Sequence, residues 1–275
     1  MLVLEASQTF ISKIHNKNNM QIKKQPTTLG KCPIVEAVIE FRFSDHKIDE
    51  LFSMIFSVLQ SEFNYVRNDS LFSIPESIRS EDENLKYQNH YLFKKENFLI
   101  GISPCKMSFS LVSTYTGWET FLSTVQDIFQ NKLHFDTKLN IQSIGIKYID
   151  FFPSIDMFEN LTIQCDTPKH IQEDNTKKHT KKYLFDYVSP ENFDIALKIF
   201  NNMELNAQEL SQADLQQKNT GSIIDLDIRA SILPKQDWNE TIKQLEKIHT
   251  KNKSIFYDLI KEDFLKTLEP IYSTK

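Results

Sequence analysis

The stretch IVEAVIEFRF, residues 34–43, alternates between apolar and mostly charged side chains along its whole length. Side chains two residues apart in a β-strand point to the same face of a sheet. The alternation therefore predicts a strand with one buried face and one face that is at least partly in water. The apolar side consists of Val35, Ala37, Ile39, Phe41 and Phe43, and the other side of Glu36, Val38, Glu40 and Arg42.

Three longer segments carry apolar residues with the spacing of a helix. In the first of them Ile48, Phe52 and Ile55 recur at intervals of three and four residues, which places them along one side of a helix. Shorter apolar runs separated by turn residues predict strands and hairpins elsewhere. We therefore predict an α+β fold, with an antiparallel sheet or sheets and about three long helices packed on one face. The helical segments are about 47–63, 118–133 and 237–268, and the further strands include 91–93, 98–102, 107–112, 141–152, 161–165, 182–188, 193–200 and 222–232.

The order of these elements suggests an internal duplication. The strand at 222–232 precedes a helix, as the strand at 34–43 does. This parallel predicts two related α+β halves, 26–153 and 154–275, that pack as one compact unit. Residues 1–25 are predicted to form a flexible N-terminal extension, because a polar run at 15–19 precedes a second methionine, Met20.

Composition argues against several classes of function. The chain has 275 residues, and its net charge of −5 disfavours nucleic acid as a partner, because phosphate binding requires clustered positive charge. The five glycines are too widely spaced to form a nucleotide-binding loop. No stretch approaches the run of about 18 apolar residues that a membrane helix needs, so no contact with a membrane is expected.

The cysteines indicate a reducing compartment. Cys32, Cys105 and Cys165 are odd in number and far apart, and none belongs to a CxxC pair. This spacing argues against a structural zinc site and against a disulfide framework. We therefore expect free thiols in a cytoplasmic protein that holds no metal and no cofactor.

Four short segments follow one another in a characteristic order. They are Pro33-Ile34-Val35-Glu36, Tyr115-x-x-Trp118-Glu119, Ile144-Gly145-Ile146-Lys147-Tyr148, and Asp225-x-Asp227 ahead of a helix that contains His249. In this order they resemble a sporadically distributed prokaryotic family of uncharacterised proteins, over about residues 33–265. The resemblance implies a prokaryotic source, and it implies no particular activity.

Charged side chains on three predicted strands form the candidate site. If these strands are neighbours, their polar faces combine into one lattice of acids and bases. One interpretation is cross-strand ion pairing on a solvated surface. The other is a groove for a ligand or peptide, in which Arg42, Lys147 and Arg229 hold an anion and Gly145 lets a partner group approach closely. The candidate residues are Glu36, Glu40, Arg42, Lys147, Asp225, Asp227 and Arg229.

A metal site is the alternative interpretation of the same residues. Asp225 and Asp227, together with a glutamate of the first strand, have the oxygen ligands that Mg²⁺ prefers. A metal-dependent hydrolase or nuclease could be built on them. Arg42 and Arg229 lie on the same strands and would repel the cation.

The sequence contains no recognisable catalytic signature. This favours a non-enzymatic binding or accessory module that acts through the polar sheet face or an open strand edge. Its partner would be another protein, or a second copy in a homodimer. His249 lies beside the apolar side of the last helix and is interpreted as a partly buried structural histidine rather than a general base.

Overall fold

A computed structural model gives the fold of residues 25–44, 46–163, 181–204, 220–233 and 237–272. Within these ranges the chain forms one nine-stranded antiparallel sheet and a separate pair of short strands. The α+β class predicted from the sequence is thereby confirmed. The strands are β1 (Thr28–Leu29), β2 (Ile34–Phe43), β3 (Asn64–Arg67), β4 (Tyr91–Lys95), β5 (Phe98–Ser103), β6 (Lys106–Val112), β7 (Ile141–Pro153), β8 (Lys182–Val188), β9 (Phe193–Glu204), β10 (Thr220–Ser231) and β11 (Pro270–Ile271).

The large sheet has the strand order β3-β4-β5-β6-β2-β7-β10-β9-β8. Strands β2 and β7 therefore lie side by side near its middle. β2 pairs with β6, which is the last strand of the meander β4-β5-β6. β7 pairs with β10, which is the last strand of the meander β8-β9-β10. A helix follows each meander. The expected division at residue 153 stays a prediction, and one hydrophobic core takes in residues from both sides of it.

The equivalence between the halves differs from the one that the sequence pattern suggested. β10 and its following helix were expected to correspond to β2 and its helix. In the structure β10 occupies a position equivalent to that of β6, because each is the last strand of its meander and pairs with a central strand, β7 or β2 respectively. Both β2 and β10 are central strands with one buried face, and their alternating patterns are therefore alike.

The long helices cover one face of the sheet, as predicted. Phe41 of β2 stacks on Phe129 at a centroid distance of 4.3 Å and lies 5.8 Å from Trp238. At the other end of the same face, Phe52 lies 5.8 Å from Phe93 of β4. The helices are α1 (Ile48–Leu59), α2 (Asp69–Phe72), α3 (Glu76–Glu81), α4 (Trp118–Gln126) with a π-helical continuation (Asp127–Lys132), α5 (Phe135–Lys138), α6 (Trp238–Leu259) and α7 (Glu262–Thr267).

Some local expectations need correction. Residues 70–114 were expected to hold strands and tight turns, yet α2 and α3 occupy the beginning of this region, and they are too short to show a helical repeat of apolar residues. The strand expected at 161–165 is reduced to a single bridge between Leu161 and Ile260 within the described residues. The N-terminal extension 1–25 and Cys165 fall on residues that lie, apart from position 25, outside the described ranges.

None of the described helices combines the length and the apolar character that crossing a membrane demands.

Candidate functional site on the polar face of the sheet

The face of the sheet opposite the long helices carries the predicted charged residues, and we call it the polar face. Because β2, β7 and β10 are consecutive in the sheet, these side chains lie within reach of one another. Glu40 stands opposite Gly145, and Gly145 stands opposite Arg229. The next row contains Lys147 opposite Asp227. The structure thus brings the candidate residues of all three strands together.

Glu40 lies at the centre of the charged side chains on the polar face and contacts three cations. Its Oε1 accepts a hydrogen bond from Arg42 Nε at 2.8 Å and lies 3.2 Å from Arg229 Nη2. Its Oε2 lies 3.6 Å from Lys106 Nζ. The side chains of Glu40 and Lys106 are only 16% and 11% exposed, and burial lowers the pKa of Lys106. Three cations therefore compensate one carboxylate that is largely withdrawn from water.

Gly145 makes the contact across β7 possible. A Cβ atom at this position would lie 3.5 Å from Arg229 Nε and 3.4 Å from the carbonyl oxygen of Ile228. The side chain of Arg229 therefore passes over Gly145 to reach Glu40 on the far side of the strand. The close approach expected at this glycine is occupied by a residue of the chain itself.

The two aspartates of β10 each face a cation. Lys147 Nζ lies 3.6 Å from Asp225 Oδ2, and Arg229 Nη2 donates to Asp227 Oδ2 at 3.3 Å. Burial, reinforced by the charge of Glu40, raises the pKa of Asp227 to about 6. We call Glu40, Arg42, Lys106, Lys147, Asp225, Asp227 and Arg229 the charged network.

The ends of the polar face differ. At one end Arg42 lies over the ring of Tyr87, with its Cζ 3.9 Å from the ring centroid. At the other end Glu36 is half-buried beside Ile149. Tyr87 therefore limits access beside Arg42.

A groove opens where β8, β9 and β10 meet on this side, with a cavity volume of about 420 Å³. Asp186 and Asp194 at this groove are exposed, and neither forms an ion pair with another described residue. Asp227 and Arg229 connect the groove to the charged network. We call this feature the aspartate groove, and it is lined by Asp186, Tyr187, Val188, Asp194, Ile195, Ala196, Asp227 and Arg229.

The metal-site alternative finds no supporting geometry in the described part of the chain. There, no group of three or more His, Cys, Asp or Glu side chains is arranged to hold a metal ion. Asp225 and Asp227 direct their carboxylates at Lys147 and Arg229 instead. The hydrolase or nuclease hypothesis stays a prediction without a specific observation in its favour.

A second cluster lies under the helices and joins three of the segments on which the family resemblance rests. Tyr148 of β7 shares a hydrogen bond with Nδ1 of His249 at 2.9 Å, and its hydroxyl lies 3.4 Å from that of Tyr115. The ring of Trp118 stacks on His249 at a centroid distance of 4.2 Å. Burial, with a contribution from Lys253, lowers the pKa of His249 to about 4. The hydrogen bond and the stacking fit the structural role expected for this histidine.

Asp150 lies on the same face of β7 as Tyr148, but no hydrogen bond or stacking contact within the described part of the chain compensates for the burial of its carboxyl. Its carboxyl is 3% exposed and forms no hydrogen bond or ion pair with the residues that the structure describes. Burial raises its pKa to about 8. The carboxyl is therefore protonated over most of the neutral range.

Sequence reasoning missed several contributors. Lys106 lies just outside the predicted strand 107–112, in the turn that was expected before it, whereas it begins β6 and stands opposite Arg42. Asp186 and Asp194 show the alternation of their strands, yet only the order β10-β9-β8 places them beside Asp227. Tyr87 comes from a loop, and no periodicity could have indicated its contact with Arg42.

Comparison with known proteins adds no assignment. No family model matches the sequence, and no curated protein matches it. The family resemblance noted from the short segments accordingly remains a prediction.

Proposed function

We propose that the protein is a non-enzymatic binding module of the prokaryotic cytoplasm, and that its polar face holds a positively charged side chain of a partner protein. The observation that carries this proposal is the aspartate groove. There Asp186 and Asp194 lie near Asp227 without an ion pair to any described residue. The cavity volume is within the range in which proteins bind side chains and small ligands.

The charges favour a cation as the bound group. The cations of the charged network are already engaged, since Arg42 and Arg229 contact Glu40 and Lys147 contacts Asp225. An anion would have to displace these carboxylates. A cation in the groove would instead meet three aspartates against one arginine, and the attraction is strengthened because Asp227 is poorly hydrated.

The lining favours a lysine or arginine side chain over a small inorganic ion. Val188 and Ala196 contribute apolar surface beside the aspartates. The methylene stem of a lysine or arginine packs well on such surface while its charged end reaches a carboxylate. A partner protein that presents one basic residue in an extended segment fits both features.

The experiment is an isothermal titration with two matched peptides, acetyl-Thr-Lys-Thr-amide and acetyl-Thr-Gln-Thr-amide. We expect the lysine peptide to bind with a dissociation constant of about 1 mM or tighter, and the glutamine peptide to bind at least about tenfold more weakly. Asp194→Asn should reduce binding of the lysine peptide to the level of the glutamine peptide. Equal binding of the two peptides would contradict the proposal.

Two controls separate the groove from general charge. Asp69→Asn makes the same chemical change at an exposed residue at the start of α2 and should leave binding unchanged. The pH dependence should also follow Asp227, because only its deprotonated form attracts the lysine. With a pKa of about 6 for Asp227, affinity at pH 5 should be about tenfold lower than at pH 7.5.

A further inference from the structure

The last strand of the sheet, β8, has one edge that pairs with β9 and one that pairs with no other described strand. Ser189 N donates to the carbonyl of Phe193 at 2.8 Å, so the odd-numbered positions are those that bond to β9. The N–H and C=O groups of Lys182, Leu184 and Asp186 therefore point away from the sheet. They are the groups to which an added strand would bond.

Two large apolar side chains of this edge strand are exposed to solvent. Leu184 and Val188 are 62% and 64% exposed. Open apolar strand edges pair readily with other strands, and proteins usually protect them with charges, prolines or short length. The opposite edge, β3, also exposes apolar side chains, Tyr65 and Val66, but it has only four residues and ends in Arg67.

We propose that β8 pairs with β8 of a second copy of the chain, antiparallel, about a two-fold axis at Leu184. In this register Lys182 of each copy stands opposite Asp186 of the other. Both residues occupy the polar side of the strand, as do the two Leu184 side chains at the axis. The dimer thus contains two cross-strand ion pairs around one apolar contact.

The sequence of β8 selects this register over its neighbours. A shift by one position would put side chains on the wrong face of the joined sheet. A shift by two, with the axis at Phe185, would set Leu184 against Asp186 and Lys182 against Val188. Both of these pairs match a charge with an apolar group, whereas the axis at Leu184 matches opposite charges.

The other side of the strand is compatible with the same arrangement. Tyr183 and Phe185 lie on the side of the long helices, with ring centroids 6.3 Å apart. In the proposed register Tyr183 stands opposite Phe185 of the second copy. Aromatic pairs in this position stabilise antiparallel strands.

This inference goes beyond the proposed function. The dimer would pair Asp186, one of the groove aspartates, with Lys182 of the second copy, and it leaves Asp194 and Asp227 to the lysine site, which is therefore tested at Asp194 of β9. A chain that dimerises but binds no lysine peptide would sustain this proposal and overturn the other. A chain that binds the lysine peptide but stays monomeric would sustain the proposed function and overturn the dimer.

The test is the oligomeric state of the full chain by analytical ultracentrifugation and native mass spectrometry at about 100 µM, a concentration suited to a small interface. We expect a dimer for the wild type. Lys182→Asp and Asp186→Lys should each produce monomers, because each places two like-charged pairs in the interface. The double variant K182D/D186K should restore the dimer. A monomeric wild type, or a folded double variant that stays monomeric, would overturn the proposal.

A cross-link fixes the register independently. In a chain with Cys32 and Cys165 replaced by serine, Leu184→Cys should form a disulfide-linked dimer on mild oxidation, because directly opposed residues lie within disulfide reach. Phe185→Cys is the matched control and should cross-link at least about tenfold less, since it faces Tyr183 in this register. Preferential linkage at position 185 would place the axis elsewhere and overturn the register.

Discussion

Glu40 and Phe41 are neighbours in the chain and lie on opposite faces of the same strand. Phe41 is fully buried under helices and stacks on Phe129. Glu40 is also largely hidden, yet its surroundings are Arg42, Lys106 and Arg229. The two faces of the sheet therefore exclude water in different ways, one by packing apolar groups and the other by pairing charges.

The difference teaches that burial alone does not measure a residue's contribution to stability. An aromatic side chain in a packed core stabilises the fold by the full area it removes from water. A buried ion network gains attraction and loses hydration, and the two nearly cancel. The charged face is therefore the place where substitution can change binding at a modest cost in stability, and the next four predictions test this contrast.

The largest effect is expected at Phe41. Phe41→Ala removes a ring that contacts Phe129 and approaches Trp238, and it leaves a cavity between the sheet and the helices. We expect the free energy of unfolding to fall by about 3–5 kcal/mol. Urea denaturation followed by tryptophan fluorescence measures it. If Phe41→Ala lowered the free energy of unfolding by less than Glu40→Gln does, the proposed contrast between the two faces would be wrong.

The next effect is expected at Asp150, the exception on the helix-covered face. Its pKa is about 8 in the folded protein and 3.8 for the unperturbed side chain. The unfolded chain therefore releases this proton first, and Asp150 lowers stability progressively as the pH rises from about 4 to about 8, by up to about 1.4 kcal/mol per pH unit. Asp150→Asn should remove this loss.

Thermal melts from pH 5 to pH 9 test the prediction. The asparagine variant should be close to the wild type at pH 5 and more stable by about 4 kcal/mol at pH 9. Parallel curves for the two proteins would show that Asp150 does not titrate in the folded state. The matched control is Asp263→Asn, since Asp263 is 96% exposed.

A smaller effect is expected at Glu40. Glu40→Gln keeps the shape of the side chain and removes the charge that Arg42, Lys106 and Arg229 share. We expect a loss of about 2 kcal/mol, below the roughly 3–5 kcal/mol of a fully buried pair, because a glutamine oxygen can still accept from Arg42 and the side chains keep partial contact with water. Denaturation in 1 M NaCl should reduce the difference only slightly, since the pairs are shielded from solvent. A loss above that of Phe41→Ala would reverse the ranking of the two faces.

The smallest effect is expected at Lys147. Its side chain is 33% exposed and its contact with Asp225 is 3.6 Å long. Lys147→Gln should therefore cost about 0.5 kcal/mol or less, the range of partly exposed pairs. The same denaturation assay measures it. A cost equal to that of Glu40→Gln would show that the charged network acts as one unit rather than around Glu40.

Much of the fold follows from patterns that span a whole element. The alternation in 34–43 and the helical spacing from Ile48 to Ile55 predicted a strand and a helix that the structure confirms. Both patterns arise because one side of the element faces a common core. Helices α2 and α3 were missed because four to six residues are too few to show a period.

The sequence predicted which charged residues share one face of a single strand, but not which strands lie side by side. Alternation placed Glu40 and Arg42 on one face of β2, and the same reasoning applied to Asp227 and Arg229 of β10. It could not supply Lys106 or Tyr87, because their contacts depend on which strand or loop lies beside β2. Strand order is a long-range property, and the sequence of one strand does not encode its neighbours.

The central position of β2 has a consequence for synthesis on the ribosome. Ile39 stands opposite Ile146, more than 100 positions later in the chain. Strands β4, β5, β6 and β2 can assemble once residue 112 has emerged, but one edge of β2 then stays open until β7 follows. At about 5–20 residues per second, synthesis of residues 113–153 takes roughly 2–8 seconds. During that interval the nascent chain exposes the backbone edge of β2 that later pairs with β7.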